Sequence, residues 1–225
     1  MLLWFLVSAA VLSVLYKYIL VKTSPPRFAE YWQRRRTLAG EIRYVALGNS
    51  AAQGVGAVAP ELGYVGLIAE YMTNTTTVQV INLSVSGARV RDVHAQIAQI
   101  PRDLDSRDLI TVDIGSNDIT PEFNPLEFET GMRQVLQKVS GSSSATVVMA
   151  DLPFFGAFGG DLEVHVKEAN QILHSVAAEF PQVRIAPVHK YTETFCRFPW
   201  YYALDFFHPS TLGYQVWFQA FRSRL

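Results

Sequence analysis

The chain has 225 residues, 49% of them hydrophobic and 17% charged, enough to bury one sizeable core and too apolar for disorder in its bulk. With 19 basic against 20 acidic side chains the formal charge is -1, which excludes a global electrostatic pull toward nucleic acid. Cys196 is the single cysteine, so an internal disulfide framework and a multi-cysteine metal site are excluded; the histidines show no zinc spacing, and no metal or cofactor is expected.

Residues Met1 to Tyr16 carry no charged side chain, and the apolar run continues past Lys17 through Tyr18-Ile19-Leu20-Val21. A helix of about 20 residues, rising roughly 1.5 Å each, spans about 30 Å, the thickness of a bilayer core. The expectation is one uncleaved transmembrane anchor over residues 1–21, with Lys17 able to snorkel and Trp4, Tyr16 and Tyr18 suited to an interfacial belt. A cleaved signal peptide fits less well, because no basic n-region is present and the step Ser8-Ala9-Ala10 comes too early. Residues 22–40 read as a juxtamembrane linker with a break at Ser24-Pro25-Pro26. Lys17, Lys22, Arg27, Arg34, Arg35 and Arg36 all follow the start of the apolar run, so the positive-inside rule puts the domain over residues 41–225 on the cytoplasmic side of a single-pass membrane protein. Arg34-Arg35-Arg36 reads equally as a solvated helix face.

Within that domain, apolar runs rich in β-branched residues recur at Arg43 to Leu47, Val78 to Leu83, Leu109 to Ile114, Ala145 to Ala150 and Val183 to Ala186. Several are continuous rather than alternating, as suits parallel strands buried on both faces. Helices are expected between them at Leu62 to Met72, Val90 to Ile100, Pro125 to Val139 and Leu162 to Phe180, with a last one from Ser210 to Phe221. Strand and helix alternate five times, which predicts an open parallel sheet with helices on both sides. In such a sheet ligands bind beyond the carboxyl ends of the strands. Gly48-Asn49-Ser50 follows the first strand, Ser84-Val85-Ser86-Gly87 the second, Gly115-Ser116-Asn117-Asp118 the third and Asp151-Leu152-Pro153 the fourth. Asp205-Phe206-Phe207-His208-Pro209 comes after the fifth.

A serine hydroxyl needs a histidine to take its proton, and a carboxylate to fix the imidazole's tautomer. Ser50, Asp205 and His208 supply all three, and the D-x-x-H spacing puts acid and base on one loop. Gly54-x-Gly56-x-x-Ala59 is a poor dinucleotide fingerprint, since the strand before it ends near Leu47, and no Walker pattern occurs. Asp113, Asp118 and Asp151 are alternative acids on the same edge, while His94, His165, His174 and His189 read as surface or core filler.

The ordered blocks Gly48-Asn49-Ser50 with Gly54, then Gly87, then Gly115-Ser116-Asn117-Asp118, then Asp205-Phe206-Phe207-His208-Pro209 resemble the SGNH hydrolases, also called GDSL esterases and lipases, over roughly Arg43 to Tyr214. The resemblance implies a three-layer α/β/α fold with a five-stranded, flavodoxin-like parallel sheet, here preceded by the N-terminal transmembrane helix. It also implies catalysis by Ser50, His208 and Asp205, with an oxyanion hole from the Ser50 and Gly87 amides and the Asn117 side chain. Asn49 departs from the aspartate common in the family at that position, outside the proton relay.

Aromatic residues crowd Phe154, Phe155 and Phe158, and again Phe198, Trp200, Tyr201, Tyr202, Phe206 and Phe207. About half suit ordinary core packing. Phe154, Phe155 and Phe207 are assigned to an apolar acyl pocket, with Gly156, Gly159 and Gly160 marking a mobile or closely approached loop. The expected function is a membrane-anchored serine esterase acting on lipid-like or small acylated esters through an acyl-enzyme. An acyltransferase or glycan deacetylase would use the same triad, and a catalytically silent membrane-tethered binding module is the reading from another class. The expected partners are a small-molecule ester and, through the N-terminal helix, a membrane, with no nucleic acid and the oligomeric state open.

Overall fold

The structure, a computed structural model, describes residues 2–155 and 160–225. Gly156, Phe158 and Gly159 lie outside the described residues, as do the side chains of Trp4, Tyr16 and Lys17.

Five strands, β1 (Ile42–Gly48), β2 (Val78–Asn82), β3 (Leu109–Asp113), β4 (Thr146–Ala150) and β5 (Val183–Ala186), pair in parallel in the order β2-β1-β3-β4-β5. This is the doubly wound, flavodoxin-like order, whose direction reverses between β1 and β3. Tyr44 and Ala46 of β1 join one core cluster, while Val45 and Leu47 join the other. Both faces are therefore covered, which is why the strands read as continuous apolar runs.

On the face of Val45 and Leu47 lie α4 (Val93–Ile97), α5 (Pro125–Ser142) and α6 (Glu163–Ala177), which bring Met132, Leu136, Val166 and Leu173 onto Ile110, Val112 and Met149. Asn124 opens α5 by accepting the Glu127 amide at 3.2 Å, with Pro125 at a first-turn position where its missing N–H costs nothing. On the opposite face α3 (Tyr64–Thr73), α7 (Val188–Thr192) and α8 (Thr211–Arg222) cover Tyr44, Ala46 and Val148. The Tyr64 and Phe221 rings stack there at 4.6 Å, a geometry that adds about 1 kcal/mol to their burial. Ser210 caps α8, accepting the Gly213 amide at 3.2 Å.

The N-terminal segment differs from its reading. Residues Leu2–Arg35 form one helix, α1, that runs straight through Pro25 and Pro26. Proline cannot donate to the carbonyl four residues back. The Ser24 hydroxyl donates instead to the Val21 carbonyl at 2.8 Å, taking the place of the missing Pro25 N–H. Further along, Phe28 and Trp32 are buried, and the Trp32 indole donates to the Gln53 carbonyl at 3.0 Å. No helix among the described residues is long and apolar enough to cross a membrane. That finding overturns the expected single-pass anchor, the membrane partnership through the N-terminal helix, and the cytoplasmic placement derived from them.

Candidate active site

The switch point between β1 and β3 is drawn tight at Gly48. Its φ is +149°, and a Cβ there would overlap the Asp113 carbonyl of the neighbouring strand, so only glycine allows the approach. The buried Gln96 side chain grips the same residue from α4: the Gly48 amide donates to Oε1 and Nε2 donates to the Gly48 carbonyl, both at 2.8 Å. The chain then turns into α2 (Ser50–Gln53), whose first residue is Ser50. Asn49 caps this turn, accepting the Ala51 amide at 2.9 Å, and its Nδ2 donates to Ser116 Oγ at 2.8 Å. An aspartate could make the first bond but could only accept from Ser116, so the asparagine reverses the polarity of one contact and leaves the turn intact.

The loop carrying Asp205 and His208 folds back over Ser50. The Ala203 amide donates to the His208 carbonyl at 2.8 Å and the Ser210 amide to the Tyr201 carbonyl at 2.7 Å, closing a narrow turn. Gly56 makes room for it: at φ +99°, a Cβ there would overlap the Pro209 carbonyl and press on His208. The Gly54-x-Gly56 pattern therefore serves loop packing. Inside the turn, Asp205 Oδ1 accepts the His208 amide at 3.0 Å and the Phe207 amide at 3.2 Å. Phe206 pays for this geometry with φ +53°, the one left-handed non-glycine among the described residues.

Asp205 Oδ2 lies 2.7 Å from His208 Nδ1, and His208 Nε2 lies 2.9 Å from Ser50 Oγ. Burial works against the Asp205 charge, but the His208 ring and the two amides outweigh it and hold the carboxyl down at about 2. An ionised carboxylate only accepts, so in a neutral ring the proton sits on Nδ1 and Nε2 is left to accept the Ser50 hydroxyl. The other acids on this edge are engaged elsewhere. Asp113 accepts the Trp217 indole at 3.1 Å and is pushed up to about 7 by burial. Asp118 accepts the Val90 amide at 3.1 Å, and Asp151 accepts the His189 amide at 2.7 Å.

Gly87 and Asn117 sit side by side on the loops after β2 and β3. The Val85 amide donates to the Gly48 carbonyl at 3.0 Å, pinning the first loop beside the Ser50 turn. Asn117 Nδ2 donates to the Ala88 carbonyl at 2.9 Å, which ties the two loops together and leaves its second N–H without an acceptor among the described residues. Neither the Ser50 nor the Gly87 amide donates to an acceptor among the described residues. Gly87 is exposed, at φ +81°, with nothing within 4 Å of where its Cβ would stand.

A cavity of about 360 Å³ opens over Ser50 and His208. Phe154, Phe155 and Phe207 line it, as do Ser50, Asp205 and His208; Gly87 and Asn117 stand outside its lining. The Phe155 and Phe207 rings meet edge to face at 6.4 Å, and Phe207 meets the His208 ring at 5.0 Å. Leu162, Thr192, Phe195 and Trp217 also line it. Sequence reasoning did not single them out, since each belongs to a stretch that reads as ordinary helix or core. Gln96 was missed for the same reason: it lies on the polar side of an otherwise apolar pattern. Among the described residues, no cluster of His, Cys, Asp and Glu could hold a metal ion.

The family model for GDSL-like lipase/acylhydrolase proteins matches residues 46–216. Among curated proteins no sequence matches the chain. Several solved structures share its fold. A member of the lipolytic G-D-S-L family from Veillonella parvula superimposes with a TM-score of 0.67 at 17% identity, covering 81% of this chain and 97% of that one. The acetylxylan esterase Axe2 from Geobacillus stearothermophilus gives 0.64 at 17% identity, over 82% and 94%. A lipase/acylhydrolase from Enterococcus faecalis gives 0.65 at 17% identity, over 81% and 94%. Identities this low speak for the fold, an SGNH hydrolase fold. Because the family model spans well over half its length, the chain belongs to the GDSL-like lipase/acylhydrolase family and is an enzyme of that family.

Proposed function

We propose that the chain is a serine esterase that cleaves carboxylic esters through an acyl-enzyme. The observation that carries this reading is the unbroken line from Asp205 through His208 to Ser50 at the floor of an apolar cavity. Ser50 Oγ attacks the ester carbonyl carbon while its proton passes to His208 Nε2, and the imidazolium is stabilised by the ionised Asp205. Negative charge collects on the former carbonyl oxygen, where the Ser50 and Gly87 amides and the free N–H of Asn117 would meet it. His208 then protonates the departing alkoxide, and the alcohol leaves the acyl group on Ser50. Water repeats the sequence: His208 takes its proton, the hydroxide oxygen bonds to the acyl carbon, and the proton returns to Ser50 as the acid departs.

The cavity is at the small end of the range for ligand sites, which favours small or medium acyl groups lying against Phe154, Phe155 and Phe207. Release to another alcohol instead of water would use the same steps. The acetyl ester named for Axe2 belongs to a neighbour with the same fold, and an acetylated glycan is accordingly the second substrate class to try.

Labelling with a fluorophosphonate probe tests the proposal. The wild type should label in a time-dependent way and Ser50→Ala should not. Equal labelling of the two would sink the nucleophile assignment, and no labelling of either would favour a silent binding module.

A further inference from the structure

The strip that turns Phe154 and Phe155 toward the cavity follows β4 but has left the sheet. Beyond the Asp151 amide, which donates to the Ala186 carbonyl at 3.1 Å, side chains hold it. Asn170 takes both polar groups of Leu152, at 2.7 and 3.0 Å, and the Thr192 hydroxyl accepts the Phe154 amide at 2.9 Å. The Phe155 amide donates to Glu163 Oε2 at 2.8 Å.

Glu163 is a buried carboxylate, and a single amide is too little to satisfy it. Its second oxygen meets His189 Nε2 at 2.8 Å. His189 is itself fixed: its amide donates to Asp151 Oδ1 at 2.7 Å, and its Nδ1 faces Glu193 Oε1 at 3.8 Å. The Phe154 ring stands edge-on to the same imidazole at 5.8 Å. The buried Glu163 and the half-buried His189 therefore contact both aromatic residues of the wall from behind, the first through its ring and the second through its backbone. Neither Glu163 nor His189 lines the cavity.

We propose that Glu163 and His189 are positioning residues for the acyl pocket: together they set where the Phe154–Phe155 wall stands and so which acyl lengths the enzyme accepts. This rests on the esterase reading above. The physical ground is that the strip lacks a strand partner, so removing one side-chain anchor frees the wall without touching β4. A wall displaced by about one methylene is worth roughly ten-fold or more in discrimination between acyl groups.

The test is a series of 4-nitrophenyl esters from acetyl to decanoyl on the full chain, with kcat and KM read separately. Glu163→Ala should change the ratio of kcat/KM for acetyl against octanoyl by about ten-fold, carried by KM, while a small fluorophosphonate still labels Ser50 within a few-fold of the wild-type rate. Glu163→Gln keeps an oxygen for the Phe155 amide and should keep the wild-type profile. If Glu163→Ala fails to fold, His189 decides. His189→Gln retains a donor for Glu163 and should preserve the profile, whereas His189→Leu leaves the carboxylate unpaired and should shift it. A uniform loss across all acyl lengths, or an unchanged profile in an active enzyme, overturns the positioning role alone. A wild type that hydrolyses none of the esters overturns the esterase reading, and the proposal with it.

Discussion

Around Ser50, the loops after β1, β2 and β3 are tied to one another about Gly48: the buried Gln96 side chain grips it at both its amide and its carbonyl, and the Val85 amide reaches back to the same carbonyl. Across the cavity, the strip after β4 and the loop before α8 have no sheet to lean on. They depend on Asn170, Thr192, Glu163 and Asp205, and they expose aromatic rings, with Phe206 49% and Phe207 54% accessible. The first side carries the proposed nucleophile and oxyanion donors, where an error of about 1 Å is costly. The second carries Asp205 and His208 on the loop before α8 and, on the strip after β4, the surface proposed to meet the variable part of the substrate.

Substitutions on the two sides should therefore fail differently. The largest loss belongs to the proposed relay. Ser50→Ala and His208→Ala should each lower kcat by about 10⁵-fold or more with the melting temperature little changed, as ester turnover and a thermal melt would show. Asp205→Asn should cost about 10⁴-fold through the wrong imidazole tautomer.

The same substitution sharpens the comparison through acid stability. The Asp205 carboxyl, at about 2 in the folded chain, lies below its unfolded value, so its contribution is complete above about pH 4 and is lost as pH falls through about 2. Urea unfolding should show the wild type losing on the order of 2 kcal/mol more than Asp205→Asn across that window. Parallel curves would mean that the carboxylate is not held by His208 and the two amides.

Asn117→Ala should come next, with kcat lower by roughly 10²–10³-fold and KM nearly unchanged, since it removes one proposed oxyanion donor. Full activity in that variant would leave Asn117 only its bond to Ala88, and would shift the donor role to the Ser50 and Gly87 amides.

What could be read from the sequence follows the same division. All five strands were legible because burial on both faces makes each one apolar almost throughout, and the edge bearing the site followed from strand order. The three-residue spacing of Asp205 and His208 was enough to expect them on one loop, while Gly87 and Asn117 came only with the family pattern. The cavity wall was half legible. A cluster of phenylalanines is visible in sequence, but that Trp217 of α8 lines the cavity, its indole on Asp113 of β3, is a tertiary fact. Gln96 and Glu163 act through tertiary contacts that no periodicity announces. The expected break at Ser24-Pro25-Pro26 misled for a physical reason: the prolines look like a helix end until Ser24 is seen covering the carbonyl that Pro25 cannot reach.

The smallest predicted effect tests whether the looser side is loose by design. Phe206 stands at φ +53° between Asp205 and His208, a conformation that costs a residue with a Cβ about 1 kcal/mol. Phe206→Gly removes that cost but also frees the unfolded chain, at about 0.5–1 kcal/mol, so the two nearly cancel. Unfolding in urea should place this variant within about 0.5 kcal/mol of the wild type. Activity should still fall a few-fold, because a glycine beside Asp205 lets the turn sample other arrangements and the His208 ring leaves its line to Ser50 more often. If stability instead rises by 1 kcal/mol or more with activity unchanged, the left-handed phenylalanine is merely tolerated, and the turn is held by Asp205 with its two amides and by the Ala203 and Ser210 main-chain bonds.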